Sequence, residues 1–194
     1  TQICLFRNLE GYVFADKLDR DSQKEVLEKV AYALRESESA LRKKFRFINL
    51  SGRPRLQKCY VAELAIPGHV ITAGGEVGLF KTDDERVCIY VNGKEHLCIQ
   101  ISAKGMKISE CVKTAYEIEE ALGTFLTYSF NEKYGYLTAD TALTGTAISS
   151  SVLLHLPLLE STNQLQTFEK GLGQYGLSLR SLFKGDEGGV GHIY

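Results

Sequence analysis

The sequence predicts an α+β fold in which helices pack on a mainly antiparallel sheet. Its strand-like segments are short and follow one another closely, so that neighbouring strands can pair directly. Two of them, residues 87–91 and 97–101, flank an Asn-Gly pair, which is the strongest short-range signal for a hairpin. Two other stretches, residues 21–36 and 109–125, place apolar side chains at helical spacing.

In the first half of the chain, strands are expected over residues 2–6 and 45–50. The helix between them can be capped by Asp19 or Asp21, because these side chains accept hydrogen bonds from free backbone N–H groups. Pro54 suits the first turn of a second helix. Loops or turns are expected at three glycines, Gly74, Gly75 and Gly78.

In the second half, the third helix is followed by predicted strands at residues 136–138 and 148–156. A fourth helix over residues 161–172 precedes a last strand at residues 177–182. No linker or composition shift divides these elements. We therefore expect a single domain spanning residues 1–194.

Charge and hydropathy exclude two classes of partner. The 194 residues contain 23 Lys and Arg against 24 Asp and Glu, a net charge of −1. This balance gives no extended positive field for nucleic acid or for an anionic membrane surface. No apolar run approaches the roughly 18 residues that a membrane span needs. We expect a protein that binds neither nucleic acid nor membrane.

The five cysteines never form a Cys-x-x-Cys pair, which favours reduced thiols in a cytoplasmic compartment. His96 and Cys98 would share one face of a strand, but a structural metal needs about four ligands, and two more are not evident. No metal site is expected. The Gly-x-Gly-x-x-Gly run at residues 171–176 follows a helix and precedes a strand, the reverse of a dinucleotide site. It is better interpreted as a helix end and turn.

Several segments share their order and spacing with the motifs of a known family. They are QICLFRNLEGYVF at residues 2–14, YVNGKEHLCIQ at 90–100, FNEKYGYLT at 130–138, SSSVLLHLP at 149–157 and the stretch 176–194. Together they resemble the ATP:guanido phosphotransferases, and most closely the bacterial protein-arginine kinases. The resemblance implies an antiparallel sheet flanked by helices, in agreement with the fold predicted from the residues.

In this family, arginines on the sheet hold the phosphates of ATP. The resemblance places the first two arginine positions at Gln2 and Cys4, another at Cys98 and a fourth at Ser149. Only the arginine of the last strand is retained, as Arg180. Most of the nucleotide-binding charge that the family uses is therefore replaced.

The family's acids, which orient the guanidinium that is phosphorylated, are replaced as well. Their positions fall on Gly93 and Lys94, so a cation stands where the catalytic Glu is expected. The family's cysteine position falls on Asp140. The lid loop corresponds to Gly185, Asp186, Glu187 and Gly188, with the lid Glu position at Gly185. The retained residues are mostly structural in kind: Asn92, His96, Gly145, Thr146 and Pro157.

A charge-assisted contact contributes roughly 1.5–3 kcal/mol, so losing four of them removes on the order of 6–12 kcal/mol of phosphate binding. Phosphoryl transfer depends on neutralising that charge. We therefore expect a degenerate guanido kinase, or pseudokinase, without the C-terminal helical segment of the bacterial kinases. It would act as a binding, regulatory or structural partner of a protein, such as an active paralogue or a larger assembly, with no cofactor.

Two alternatives stay open. The first is an active ATP-dependent kinase of free or proteinaceous arginine, with ATP–Mg²⁺ as its cofactor and rearranged catalytic residues. The second is a nucleotide-sensing module that binds without turnover, for which Arg180 and the basic clusters at residues 42–46 and 53–55 would have to compensate. A nucleotide titration with and without Mg²⁺ separates them.

Overall fold

A six-stranded antiparallel sheet forms the centre of the computed structural model, which describes residues 1–64, 75–181 and 193–194. Its strands are joined in the spatial order β2-β3-β4-β5-β1-β8, and a separate short hairpin contains β6 and β7. The strands are β1 Gln2–Arg7, β2 Arg46–Asn49, β3 Gly78–Lys81, β4 Val87–Val91, β5 Leu97–Ser102, β6 Phe130–Asn131, β7 Gly135–Tyr136 and β8 Ile148–Ser151. The helices are α1 Arg20–Leu41, α2 Pro54–Glu63, α3 Ile108–Gly123, α4 Pro157–Ser161 and α5 Leu165–Gly173, with a 3-10 turn at Ala15–Lys17.

The predicted hairpin is confirmed, since β4 pairs antiparallel with β5 from Val87 opposite Ile101 to Val91 opposite Leu97. Asn92 adopts a left-handed backbone conformation with φ 59°, which Asn tolerates better than most residues. The Asn92 N–H donates to the His96 carbonyl at 3.0 Å and closes the turn. The Asn92 amide also donates to the Gln23 and Glu76 carbonyls and ties the hairpin to two neighbouring segments.

Helices α1 and α3 cover one face of the sheet. Asp19 caps α1, because its Oδ1 accepts the N–H groups of Asp21 and Ser22. The helical spacing predicted from the sequence brings Val26, Val30 and Leu34 of α1 inward. They pack against the inward side chains of α3 and of the sheet, which include Ala115, Ile118, Leu122, Ile3, Leu5, Ile89 and Ile99.

The opposite face of the sheet is covered by α2. The alternation of side chains along each strand directs Cys4, Phe6, Tyr90 and Cys98 to this side. Leu64, directly after α2, is buried among them, and Leu56 and Tyr60 pack against the same cluster. The Pro54 start predicted for this helix is confirmed.

Several elements differ from the sequence predictions. Gly78 belongs to β3 and not to a loop. The strand predicted at 148–156 ends at Ser151. The helix predicted at 161–172 is interrupted at Asn163, whose φ is 56°, and α5 begins only at Leu165. Residues 177–181 form no strand, and the end of that predicted strand and the lid at 185–188 lie outside the described residues.

Contacts divide the chain into two compact units, Thr1–Ser151 and Val152–Tyr194. The first contains the sheet, and the second contains α4 and α5. The expectation of one domain spanning residues 1–194 stays a prediction. In the described ranges, no helix has the length and apolar composition needed to cross a membrane.

Candidate functional site

The positions where the resemblance expects arginines come together on the face of the sheet that α2 covers. On β1, Cys4 lies opposite Ser149 of β8. Gln2 is 4 % exposed, Cys4 is 2 % exposed and Cys98 is 3 % exposed, whereas Ser149 is half-buried. These residues therefore lie on one face of the sheet, and three of them are in the interior.

Cys4 and Cys98 interact directly through their side chains. Burial raises the pKa of the Cys98 thiol well above its ordinary value, and the neighbouring Cys4 adds to the shift. Burial also raises the pKa of the nearby Cys88 to about 12. All five cysteines carry free thiols, and Cys59 is the exposed one. With their pKa values raised by burial, the thiols of Cys88, Cys98 and Cys111 stay protonated and uncharged at neutral pH.

Two glutamine side chains connect this face to the end of α2. The Gln2 amide donates to the Leu64 carbonyl at 3.2 Å, and the Gln100 amide donates to the same oxygen at 2.9 Å. The Cys4 thiol lies 4.0 Å from the other end of the Gln100 amide. The amide N–H groups of Gln2 and Gln100 therefore already donate hydrogen bonds to a carbonyl within the protein.

One cation does lie towards this face, on the side away from β1. Lys81 of β3 stands opposite Cys88 of β4. Its ammonium group pairs with Glu85 and lies 5.5 Å from the centre of the Tyr60 ring. Lys81 is thus engaged within the protein, and it does not replace the missing arginines of β1, β5 and β8.

The two positions expected to carry acids lie on the β4–β5 hairpin. Gly93 is buried and Lys94 is exposed. The cation expected from the sequence at this position therefore points to solvent. No group of three or more His, Cys, Asp or Glu residues arranged to hold a metal occurs among the described residues.

The acid that the sequence matching did not select is Glu95, which is 4 % exposed. Its carboxylate accepts the Asn8 amide at 2.5 Å and the Ala139 N–H at 3.0 Å, and it also accepts the Asp140 N–H. Glu95 therefore anchors the segment at residues 138–140 to the hairpin. The sequence signal that could have identified Glu95 was its position within the matched YVNGKEHLCIQ segment.

Arg7 is a second residue that the sequence analysis passed over. Its side chain is fully buried, and its Nε donates to Glu119 of α3 at 2.7 Å. Its guanidinium lies 3.4 Å from the centre of the Tyr136 ring. Nη1 donates to the carbonyls of Phe6 and Thr146. Arg7 is thus a buried cation whose contacts join several structural elements of the first unit.

The remaining predicted site residues belong to the second unit or lie outside the residues that the structure describes. Arg180 is exposed and follows α5 in a segment without regular structure. The lid residues Gly185, Asp186, Glu187 and Gly188 are not among the described residues.

The chain was compared with known families and proteins. The model of the ATP:guanido phosphotransferase C-terminal catalytic domain matches residues 25–194. A protein-arginine kinase of Halothermothrix orenii is 29% identical over 196 residues, which cover 100% of this chain and 55% of that protein. A protein-arginine kinase of Clostridium kluyveri is 31% identical over 195 residues, which cover 100% of this chain and 56% of that protein. The chain therefore spans about half the length of these curated relatives.

Solved structures show the same fold. The substrate-free duplicated taurocyamine kinase from Schistosoma mansoni matches with a TM-score of 0.73 and 22% identity, over 100% of this chain and 28% of that chain. Lombricine kinase matches with a TM-score of 0.67 and 18% identity, over 88% of this chain and 51% of that one. The fold class and the resemblance predicted from the sequence are both confirmed.

Proposed function

We propose that this chain, which belongs to the ATP:guanido phosphotransferase family, uses the catalytic-domain fold as a binding or regulatory protein and does not transfer phosphate. The single observation that supports the proposal is the lack of charge on the face of the sheet where the resemblance expects nucleotide-binding arginines. Gln2, Cys4 and Cys98 are uncharged there and buried beneath α2.

The electrostatics of this face oppose an anion. A helix C-terminus carries a partial negative charge on its free carbonyls, and the Leu64 carbonyl directly after α2 points at Gln2 and Gln100. A phosphate chain placed here would meet a carbonyl oxygen in place of guanidinium groups. Moving an unpaired anion into such an interior is strongly unfavourable.

The positions expected to orient the guanidinium, which is the phosphate acceptor in this family, also argue against phosphoryl transfer. The position matched to the catalytic Glu holds Lys94, which is exposed on the hairpin. A cation there repels the guanidinium that the family's acid attracts. Glu95, the carboxylate beside it, is committed to Asn8 and to backbone N–H groups. On the described β4–β5 hairpin, therefore, the expected acid positions offer no carboxylate free to orient a guanidinium.

The partner of such a protein would be another protein, either an active member of the family or a larger assembly. The apolar core of the fold is kept, with Ile3, Leu5 and Ile99 fully buried, while the charges of the reaction are replaced. A fold that keeps its apolar core but not its charged reaction residues is suited to binding a partner.

The test is isothermal titration of the whole chain with ATP–Mg²⁺, together with a phosphoryl-transfer assay on free arginine and on an arginine-rich protein. We expect a Kd of about 1 mM or weaker, because several contacts of about 1.5–3 kcal/mol each are missing. We also expect no phosphoarginine, while an active protein-arginine kinase run in parallel produces it.

Other outcomes assign the chain to an alternative. Micromolar binding with arginine phosphorylation would show an active kinase with rearranged residues. Micromolar binding without transfer would show a nucleotide-sensing module. Circular dichroism of the same sample confirms that a negative result comes from folded protein.

A further inference from the structure

A groove of about 520 Å³ lies beside the C-terminal end of helix α1, and this volume is within the range of roughly 300–1,000 Å³ that is usual for ligand sites. It is bordered by residues 42–44, which follow α1, by the turn between β3 and β4, and by the first two turns of α3. The buried side chains of Val87 and Ile101 line its apolar part. The groove therefore lies within the first compact unit, away from the face of the sheet that α2 covers.

Three consecutive cations border the groove where α1 ends. Arg42 adopts a left-handed conformation with φ 51°, and its N–H donates to the Glu38 carbonyl. Arg42 and Lys44 are exposed, and Lys43 is half-buried. Among the residues that the structure describes, neither Arg42 nor Lys44 forms an ion pair. Two positive charges at this wall therefore have no carboxylate partner within the described chain.

Two of the carboxylates that line the groove are held in ion pairs. Asp83 pairs with Arg46 at 2.7 Å. Glu110 pairs with Arg86 at 3.3 Å and with Lys107 at 2.9 Å. The charges of Asp83 and Glu110 are therefore compensated without the cations of residues 42–44.

The third carboxylate, Asp84, is held by hydrogen bonds. It accepts the Thr82 hydroxyl at 2.6 Å and the Arg86 N–H at 3.2 Å. The hydrogen bond from Thr82 lowers the pKa of Asp84, and the positive charge of Lys43 adds to this shift. Asp84 thus interacts with Lys43, whereas Arg42 and Lys44 keep the positive surplus of the groove.

We propose that this groove binds an acidic segment of a partner protein, whose carboxylates pair with Arg42 and Lys44. The inference rests on the proposed function as a binding protein, and it adds the chemistry by which the partner is recognised. The chain as a whole has a net charge of −1, so the attraction is local to the groove. Complementary charge across an interface mainly determines specificity and the rate of association.

The lining favours an acidic peptide over a compact polyanion. A phosphate chain concentrates its charges, which in this groove would lie near the carboxylates of Asp83, Asp84 and Glu110 as well as near the cations. Like charges at short distance repel each other. A peptide can place carboxylates at separated positions beside the cations, while its uncharged part lies against Val87 and Ile101.

Fluorescence anisotropy of the whole chain with a short labelled peptide of alternating Glu and Ser tests this. We expect saturable binding that weakens as NaCl rises from about 50 mM to about 500 mM, because exposed charge pairs are screened. The same peptide with Gln in place of Glu should not bind. Arg42→Glu combined with Lys44→Glu should weaken binding by about tenfold.

The matched control combines Lys24→Glu with Lys133→Glu, which changes the net charge equally at exposed positions outside the groove. It should leave binding within about twofold of the unaltered chain. Equal losses in the two double variants, or equal binding of the Glu and Gln peptides, would overturn the proposal. Displacement of the peptide by inorganic tripolyphosphate at a lower concentration than by unlabelled peptide would overturn the choice of an acidic peptide.

Carbodiimide cross-linking of the unaltered chain gives a test that needs no variant. The reagent joins a peptide carboxylate to a nearby lysine amine, and mass spectrometry should locate the new bond at Lys43 or Lys44. Cross-links found mainly at Lys24 or Lys133 would contradict the assigned groove. Titration with ATP–Mg²⁺ and the phosphoryl-transfer assay are carried out without peptide, so this inference and the proposed function can fail separately.

Discussion

Arg7 Nε lies 2.7 Å from Glu119 Oε1, and this ion pair joins strand β1 to helix α3 inside the protein. The Arg7 side chain has no exposed surface, and the ring of Tyr136 covers its guanidinium. A buried pair of this kind contributes little net stability compared with apolar residues, but removing one partner leaves the other charge uncompensated.

We predict that Glu119→Gln lowers the free energy of unfolding by about 3–5 kcal/mol, the usual result of breaking a buried ion pair. Urea unfolding followed by circular dichroism measures it. Glu117→Gln removes an exposed carboxylate of the same helix and should change the stability by less than about 0.5 kcal/mol. Equal effects of the two substitutions would show that the Arg7–Glu119 pair is not buried as described.

The stability of the fold should depend on pH through His96. Its Nδ1 accepts the Leu9 N–H at 3.0 Å, and its Nε2 lies 2.9 Å from the Val13 carbonyl, so a neutral ring with hydrogen on Nε2 satisfies both. Burial lowers the pKa of His96 below its ordinary value of 6.5. The unfolded chain then binds the proton more readily than the folded chain.

The stabilisation from neutral His96 is therefore fully present above about pH 6.5 and is lost as the pH falls through the folded-state pKa. Urea unfolding at several pH values between 4 and 8 should show this loss, and His96→Gln should reduce it. The matched control is His155→Gln at an exposed position, which should leave the slope unchanged. A wild-type slope retained by His96→Gln would contradict the assignment.

The thiols should separate into two classes of reactivity. Cys59 is exposed, whereas Cys4, Cys88, Cys98 and Cys111 are buried. Burial also raises the pKa of Cys88 to about 12, so its reactive thiolate is scarce at neutral pH. Titration with a disulfide reagent should modify one thiol rapidly in the native protein and the others only in urea. Cys59→Ser should abolish the rapid phase, and a rapid phase that survives it would count against the described burial.

Restoring family arginines should expose the difference between buried and edge positions. Cys98→Arg introduces a guanidinium into an interior without a counter-charge, so we expect a loss of about 3 kcal/mol or more of unfolding free energy. Ser149→Arg lies at a half-buried position of the edge strand and should be tolerated within about 1 kcal/mol. Neither single variant should bind ATP–Mg²⁺ measurably. Stable, nucleotide-binding Cys98→Arg protein would show that α2 leaves this face open.

Sequence patterns within a few residues were sufficient to predict those helices and turns that depend on neighbouring residues alone. The helical spacing of Val26 and Val30 predicted α1, and the Asn-Gly pair predicted the β4–β5 hairpin. Strand β3 was missed because Gly78 suggested a loop. A Cβ at Gly78 would lie 2.5 Å from a Leu27 side-chain carbon and 2.9 Å from a Phe47 ring carbon. That glycine serves a close approach between elements, which sequence pattern does not reveal.

The sequence by itself determined the family and the replacements: Gln2, Cys4, Cys98 and Ser149 stand where arginines are expected, and Lys94 stands where an acid is expected. Only the tertiary structure decided what these replacements form. Gln2 and Gln100 share the carbonyl of Leu64, which lies 62 and 36 residues away along the chain. Hydrogen bonds between residues so distant depend on strand register and on the packing of α2. The residue types therefore identified which expected arginines are replaced. Only the fold shows that the Leu64 carbonyl, directly after α2, contacts the side chains on that face of the sheet.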